Sequence, residues 1–207
     1  MRRPQIVHAF EIDQQAVAIT FDDGPNETFT PEILSIFREH QAKATFFMVG
    51  EQVQKAPHVA KLVGQEGHEI GNHTFTHPFL TKLSKEACTE ELSRTDALLK
   101  EVVGVSPNVF RPPYFDYNDL VSESVEAFGY KVIGAVNTEA RDWDEPGIEH
   151  IVTKTLEVVK PGSILIFHDG FENRVQTVEA VRILVEDLTI QGYKLVTVSE
   201  LQRMSVG

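Results

Sequence analysis

Two histidines four residues apart, His73 and His77 in the stretch GNHTFTHP, can meet one cation if the backbone turns helically between them. Neutral imidazole suits zinc and its first-row neighbours. Two ligands do not hold a catalytic metal, but the adjacent acids Asp22 and Asp23 of TFDDGP offer a carboxylate as the third. An Asp-His-His set leaves positions for water and substrate, the arrangement of a catalytic rather than a structural centre. Each piece also has a plainer reading. An isolated HxxxH is more often a capped surface turn, and DDGP is good turn chemistry because Asp bonds nearby backbone amides. Neighbouring side chains of a strand point to opposite faces, so both acids serve one site only if the chain leaves the strand there, which Gly24 and Pro25 encourage. With one carboxylate on a metal, the other is free to act as a general base. The FDDG string superficially resembles the DxDG of phosphatases with an aspartyl nucleophile, but Phe21 stands where that nucleophile belongs.

Three further clusters carry chemistry-bearing residues. Arg111 in FRPPYFDYN is either a surface cation or, beside an acidic cluster, a bidentate partner for a carboxylate. Trp143, the single tryptophan, in EARDWDEPG, is core or else a flat wall for a sugar ring. His168 in ILIFHDG follows an apolar run directly and is expected at its mouth, against the alternative of a satisfied core histidine. His8, His40, His58, His68 and His150 fall outside these clusters and read as surface or packing residues.

The elements that must position these groups are short runs rich in β-branched and aromatic residues, at 16–21, 44–49, 68–72, 108–111, 131–136, 163–167 and 193–198. Helical patterns alternate with them, which implies a parallel sheet. Thr30 with Pro31, Ser84 and Asn118 read as helix starts, and segments 147–159 and 177–190 repeat apolar residues at helical spacing. Seven strands in one domain over residues 1–207 favour a (β/α) barrel over an open sheet. In either architecture function gathers beyond the carboxyl ends of the strands. Asp22 and Asp23, His73 and His77, Arg111 and Tyr114, Asp142 and Trp143, and His168 and Asp169 all fall at that one end.

Composition narrows the partners. A net charge of −12 without a basic cluster argues against nucleic acid. The lone Cys88, on a helix that turns Ala87 and Cys88 inward, excludes an internal disulfide and a cysteine-based zinc site. No run has the apolar length of a transmembrane helix, so membrane insertion is not expected. The amino terminus lacks the apolar stretch of a signal peptide, which reads as cytoplasmic as written, or secreted if an export segment precedes it.

Taken in order, TFDDGP, GNHTFTHP, RPPY, RDW and ILIFHDG resemble the polysaccharide deacetylase family, the NodB-homology or carbohydrate esterase family 4 domain. The resemblance implies a distorted (β/α) barrel with one divalent metal, zinc by preference and cobalt or nickel as alternatives, on Asp23, His73 and His77. It further implies Asp22 as general base tethered by Arg111, the Tyr114 backbone N–H as an oxyanion donor, and His168 as general acid tuned by Asp142. Trp143 and Ile166 match apolar positions of the acetyl pocket, and Pro112 and Phe115 adjoin it. Two departures stand out: Phe115 replaces a common glycine and is expected to reshape the groove, and Asn137 stands where family members often carry Asp. The implied activity is hydrolytic removal of acetyl groups from N-acetylglucosamine-containing saccharides of chitooligosaccharide or peptidoglycan type. Its rivals are O-deacetylation of xylan, a noncatalytic sugar-binding relic, which should have lost a ligand or the base, and a two-His-one-carboxylate iron oxygenase, which leaves His168 and Asp22 unexplained.

Overall fold

The computed structural model describes residues 5–205, so Arg2 and Arg3 of the amino-terminal reading lie outside the described residues. Seven strands run parallel in a curled sheet of order β5-β4-β3-β2-β1-β6, with β7 added at the start of β1. They are β1 (Ala16–Asp22), β2 (Thr45–Met48), β3 (Glu69–Asn72), β4 (Val109–Phe110), β5 (Lys131–Val132), β6 (Ile164–His168) and β7 (Lys194–Leu195). The helices are α1 (Phe29–Glu39), α2 (Gly50–Lys55), α3 (Pro57–Gln65), α4 (Lys85–Val103), α5 (Asp119–Glu126), α6 (Ile148–Leu156), α7 (Val175–Ile190) and α8 (Val198–Arg203).

Central β1 is buried along its whole length, as a strand covered on both faces must be. Its residues sort by face: Val17, Ile19 and Phe21 pack outward among apolar residues of α1 and α7, whereas Ala16 and Ala18 join the inner cluster with Phe47, Val109 and Ile164. Small residues on the inner face leave room at the barrel centre. By the same alternation Asp22 faces inward.

The barrel does not close by a regular ladder. The apolar run 131–136 forms only a two-residue strand because side chains claim its later carbonyls. Arg111 donates from Nε to the Ile133 carbonyl at 3.2 Å and from Nη2 to the Gly134 carbonyl at 2.7 Å, and the His8 ring bonds the Ala135 carbonyl at 2.9 Å. Beyond that point the Val136 N–H reaches the Ile164 carbonyl, and the Asn137 amide pairs with Ile166 in strand fashion. Its Oδ1 accepts from the Ile166 N–H at 2.7 Å while its Nδ2 donates to the Ile166 carbonyl at 3.1 Å. Asn137 therefore stitches the sheet edge, and only an amide can do both. The run at 193–198 is cut short in a related way, since Thr197 opens α8 with a reciprocal capping box to Glu200.

Ser84 and Asn118 cap α4 and α5 as expected, accepting from the Ala87 and Val121 N–H groups. Thr30 does not cap α1. The helix begins at Phe29, and the buried Thr30 hydroxyl accepts from the Asn26 N–H and donates to Asp169. Cys88 is buried and unpaired, but its neighbour Ala87 is exposed: the buried face of α4 runs through Cys88, Glu91, Leu92, Thr95 and Leu99, and Ala87 falls outside it. Among the described residues no helix is long and apolar enough to cross a membrane.

Candidate metal centre and active site

Every cluster singled out in the sequence comes together at the carboxyl ends of β1, β3, β4 and β6. They line a cavity of about 480 Å³ bounded by Asp22, Asp23, His73, His77, Pro112, Tyr114, Phe115, Thr138, Trp143, Ile166 and His168.

The two acids reach one site because the chain leaves the strand between them, Asp23 adopting φ 75°. The carboxyl end of β6 holds this turn from behind. The Asp169 N–H donates to the Asp22 carbonyl, and a Cβ on Gly170 would stand 1.9 Å from the Asp23 carbonyl oxygen, so glycine is required there. The Asp169 side chain lies beneath the turn and not in the cavity: Thr30 donates to it, and a Cβ on Gly24 would collide with its carboxylate. Burial raises the Asp169 carboxyl to about 7 against the Thr30 hydrogen bond, with the charges of Asp23 and Asp22 adding to the rise.

His73 Nδ1 lies 2.7 Å from the Arg111 carbonyl, which can only accept, so Nδ1 carries the proton and Nε2 presents a lone pair to the cavity. That lone pair faces Asp23 Oδ1 at 3.5 Å, and His77 Nε2 lies 3.1 Å from the same oxygen. Asp23 Oδ1 is buried and, among the described residues, has no hydrogen-bond partner. Two acceptors in van der Waals reach of each other, one orphaned in a buried position, are the arrangement a cation resolves. Among the described residues, Asp23, His73 and His77 form a group with metal-ligand spacing, their ligand atoms within 4.8 Å of one another. These residues fit a divalent ion.

Asp22 is held on one oxygen. Arg111, fully buried, donates from Nη1 to Asp22 Oδ1 and to Thr20 Oγ1, both at 2.7 Å, and its guanidinium rests over the Phe47 ring. The bidentate clamp expected from sequence is absent because the remaining donors go to the Ile133 and Gly134 carbonyls. Asp22 Oδ2 is thereby left on the cavity side, 3.7 Å from His73 Nε2. Burial lowers the Arg111 pKa and the Asp22 charge opposes this, which keeps the buried cation paired.

Across the cavity, His168 Nδ1 lies 2.9 Å from Asp142 Oδ1, while Asp142 Oδ2 accepts from the His168 N–H and from Thr177 Oγ1. Burial lowers the imidazole pKa, but the Asp142 charge and hydrogen bond outweigh it, with Asp23 and Asp22 contributing, and the pKa rises to about 9. Trp143 is exposed, with its ring edge-on to His168, and so belongs to the rim and not to the core. Ile166 is buried at the cavity floor, and Tyr114, exposed at φ 57°, packs against His77 and stacks on Phe79. Phe115 also takes a left-handed conformation, φ 53°, and lines the cavity. Asn137 is not part of the site.

Sequence reasoning missed Thr138 in the lining, and Phe79 and Phe171 at the rim, the latter 5.6 Å from the His77 ring. Phe171 directly follows the HDG stretch, so its proximity was readable; Phe79 and Thr138 carried no chemical signal.

The profile of the family described as polysaccharide deacetylase matches residues 11–133. A peptidoglycan-N-acetylglucosamine deacetylase of Bacillus cereus is 41% identical over 192 residues, covering 92% of this chain and 90% of that protein. A chitooligosaccharide deacetylase of Azorhizobium caulinodans is 33% identical over 195 residues, covering 88% and 92%. Among solved structures, the Bc1960 peptidoglycan N-acetylglucosamine deacetylase superposes with a TM-score of 0.90 at 29% identity, covering 94% of this chain and 91% of that one. The sequence motifs, the curled parallel sheet and these matches agree: the chain belongs to the polysaccharide deacetylase family.

Proposed function

We propose that this chain is a metal-dependent hydrolase that removes acetyl groups from N-acetylglucosamine-containing saccharides, with zinc on Asp23, His73 and His77. The observation that carries this reading is the pair of opposed proton carriers flanking one ligand centre: Asp22 on one side, held open by Arg111, and His168 on the other, held protonated by Asp142. A bound divalent ion supplies Lewis acidity toward the acetyl carbonyl and the attacking water.

The protein's own groups do the rest. Asp22 Oδ2 takes the proton from water as it attacks, while Arg111 keeps the other oxygen fixed. The Tyr114 backbone N–H serves the developing oxyanion from the rim. His168 delivers a proton to the departing nitrogen. An amine leaves poorly without that proton, and an imidazole held protonated by Asp142 can supply it. Ile166 and Trp143 bound the acetyl side of the cavity and exclude bulk water there, and Pro112 and Phe115 line it beside the Tyr114 rim.

The test is acetate release by zinc- and cobalt-loaded protein from a chitooligosaccharide and an acetylated xylooligosaccharide in parallel, with chelator-treated protein as control. Release from the chitooligosaccharide, lost with the chelator and restored by metal, is expected. Release from the xylooligosaccharide alone would convert the reading to an esterase, and no release from either by fully loaded protein would refute it.

A further inference from the structure

The loop between the two histidines is held from outside the site. Glu91, nearly buried on α4, accepts from the Phe75 and Thr76 N–H groups on Oε2, each at 2.8 Å, and from Thr76 Oγ1 on Oε1 at 2.9 Å. Residues 75 and 76 are midway between the imidazoles. The same helix places the Arg94 guanidinium 3.7 Å from the centroid of the Phe75 ring and offers the Leu92 carbonyl to Asn72 Nδ2 at the loop's start.

The loop needs such support. Thr74 and His77 both take left-handed φ values, 67° and 60°, which β-branched and bulky residues adopt only where their surroundings over-determine them. The two imidazoles are not held alike. The His73 ring is fixed by the Arg111 carbonyl, but His77 Nδ1 has no hydrogen-bond partner among the described residues. With no hydrogen bond to fix the ring, the place of His77 Nε2 depends on packing against Tyr114 and Phe171 and on its backbone, which Thr74 Oγ1 anchors locally at 3.1 Å and which Glu91, with the Gly50 and Glu51 N–H groups of α2 donating to the Thr74 and Phe75 carbonyls, anchors to the body of the fold.

We infer that Glu91 is a positioning residue for the metal centre: its three hydrogen bonds preset the 74–77 loop so that His77 meets the ion without reorganisation. The role is one of hydrogen bonding and not of charge. A glutamine can place Oε1 where Glu91 Oε2 now accepts both amides and donate from Nε2 to the Thr76 hydroxyl, which rotates to accept. The inference rests on the metal-site reading above, and one experiment separates the two.

Zinc affinity is measured by competition with a chromophoric chelator for the full chain and its Glu91→Gln and Glu91→Ala variants, each checked as folded by circular dichroism before metal is added. Outer-shell partners of metal ligands are worth about 10- to 100-fold in affinity, so Glu91→Ala is expected to bind zinc about 10- to 100-fold more weakly, and Glu91→Gln within about threefold of the parent. Parent-like affinity in Glu91→Ala overturns the inference, and so does a Glu91→Gln as weak as Glu91→Ala, which would assign the effect to charge. No zinc binding by the parent chain refutes the metal site itself. Amide exchange in the metal-free parent gives a second reading that does not require the alanine variant to fold: slow exchange at Phe75 and Thr76 is expected, and free exchange at both overturns the preset loop.

Discussion

Asp142→Asn is the substitution whose consequence follows most directly from the site. The asparagine carbonyl can occupy the place of Asp142 Oδ2 and go on accepting from the His168 N–H and Thr177 Oγ1, so the local fold is retained. Its NH₂ then faces His168 Nδ1, which must become an acceptor. The imidazole is forced into the tautomer protonated at Nε2, and the imidazolium is opposed by two donors in contact. The His168 pKa therefore falls from about 9 to 6.5 or below. At pH 8 a group of pKa 9 is about 90% protonated and one of pKa 6.5 about 3%, so acetate release should drop about 30-fold there. The sign is definite: an acid with a lowered pKa loses its proton earlier as pH rises, and the alkaline limb of kcat/KM moves to lower pH. A bound cation offsets the contributions of Asp22 and Asp23 in both proteins alike, which makes the separation of the two limbs the quantity to read. The assay is acetate release from a chitooligosaccharide between pH 6 and 10. An alkaline limb at the same pH in both proteins would refute the assignment of His168 as the acid tuned by Asp142.

Asp22→Asn should keep stoichiometric zinc by elemental analysis while turnover falls about 10²- to 10⁴-fold; parent-like turnover in the loaded variant removes Asp22 as the base. His77→Ala should lower zinc occupancy, and unchanged stoichiometry by elemental analysis counts against the ligand triad. Asn137→Asp sets a carboxylate against the Ile166 carbonyl and should cost about 1–3 kcal/mol, read as a fall in Tm of roughly 2–4 °C for each kcal/mol. An unchanged Tm would show that the edge amide is dispensable. Phe115→Gly relieves a left-handed φ of 53° and opens the cavity wall, so the ratio of kcat/KM for long and short chitooligosaccharides should change; an unchanged ratio leaves Phe115 as packing.

What the sequence disclosed and what it withheld have a common physical origin. TFDDGP, HTFTH and HDG are local: each puts its chemistry within a few residues of a strand end, and strand periodicity alone brings those ends together. The residues that hold them are distant partners with no periodic signature. Thr30 and Asp169 are separated by 139 positions, and Glu91 serves a loop on another element altogether, so a helix-cap reading of Thr30 was locally reasonable and structurally wrong. The clearest case is the run 131–136. Its composition reads as a full strand, yet its ladder with β4 covers two residues and only a single bridge from Val7 to Ile133 follows, because a buried guanidinium takes the carbonyls that a neighbouring strand would use. Arg111 can reach Asp22 at the barrel centre only by standing in that opening, and Asn137 then restores the missing pairing to β6 from a side chain. The departure from ideal barrel closure and the orientation of Asp22 are thus one structural event. Pattern reading fails at β5 because the local preference for a ladder is overridden there by the group that orients Asp22 toward the cavity.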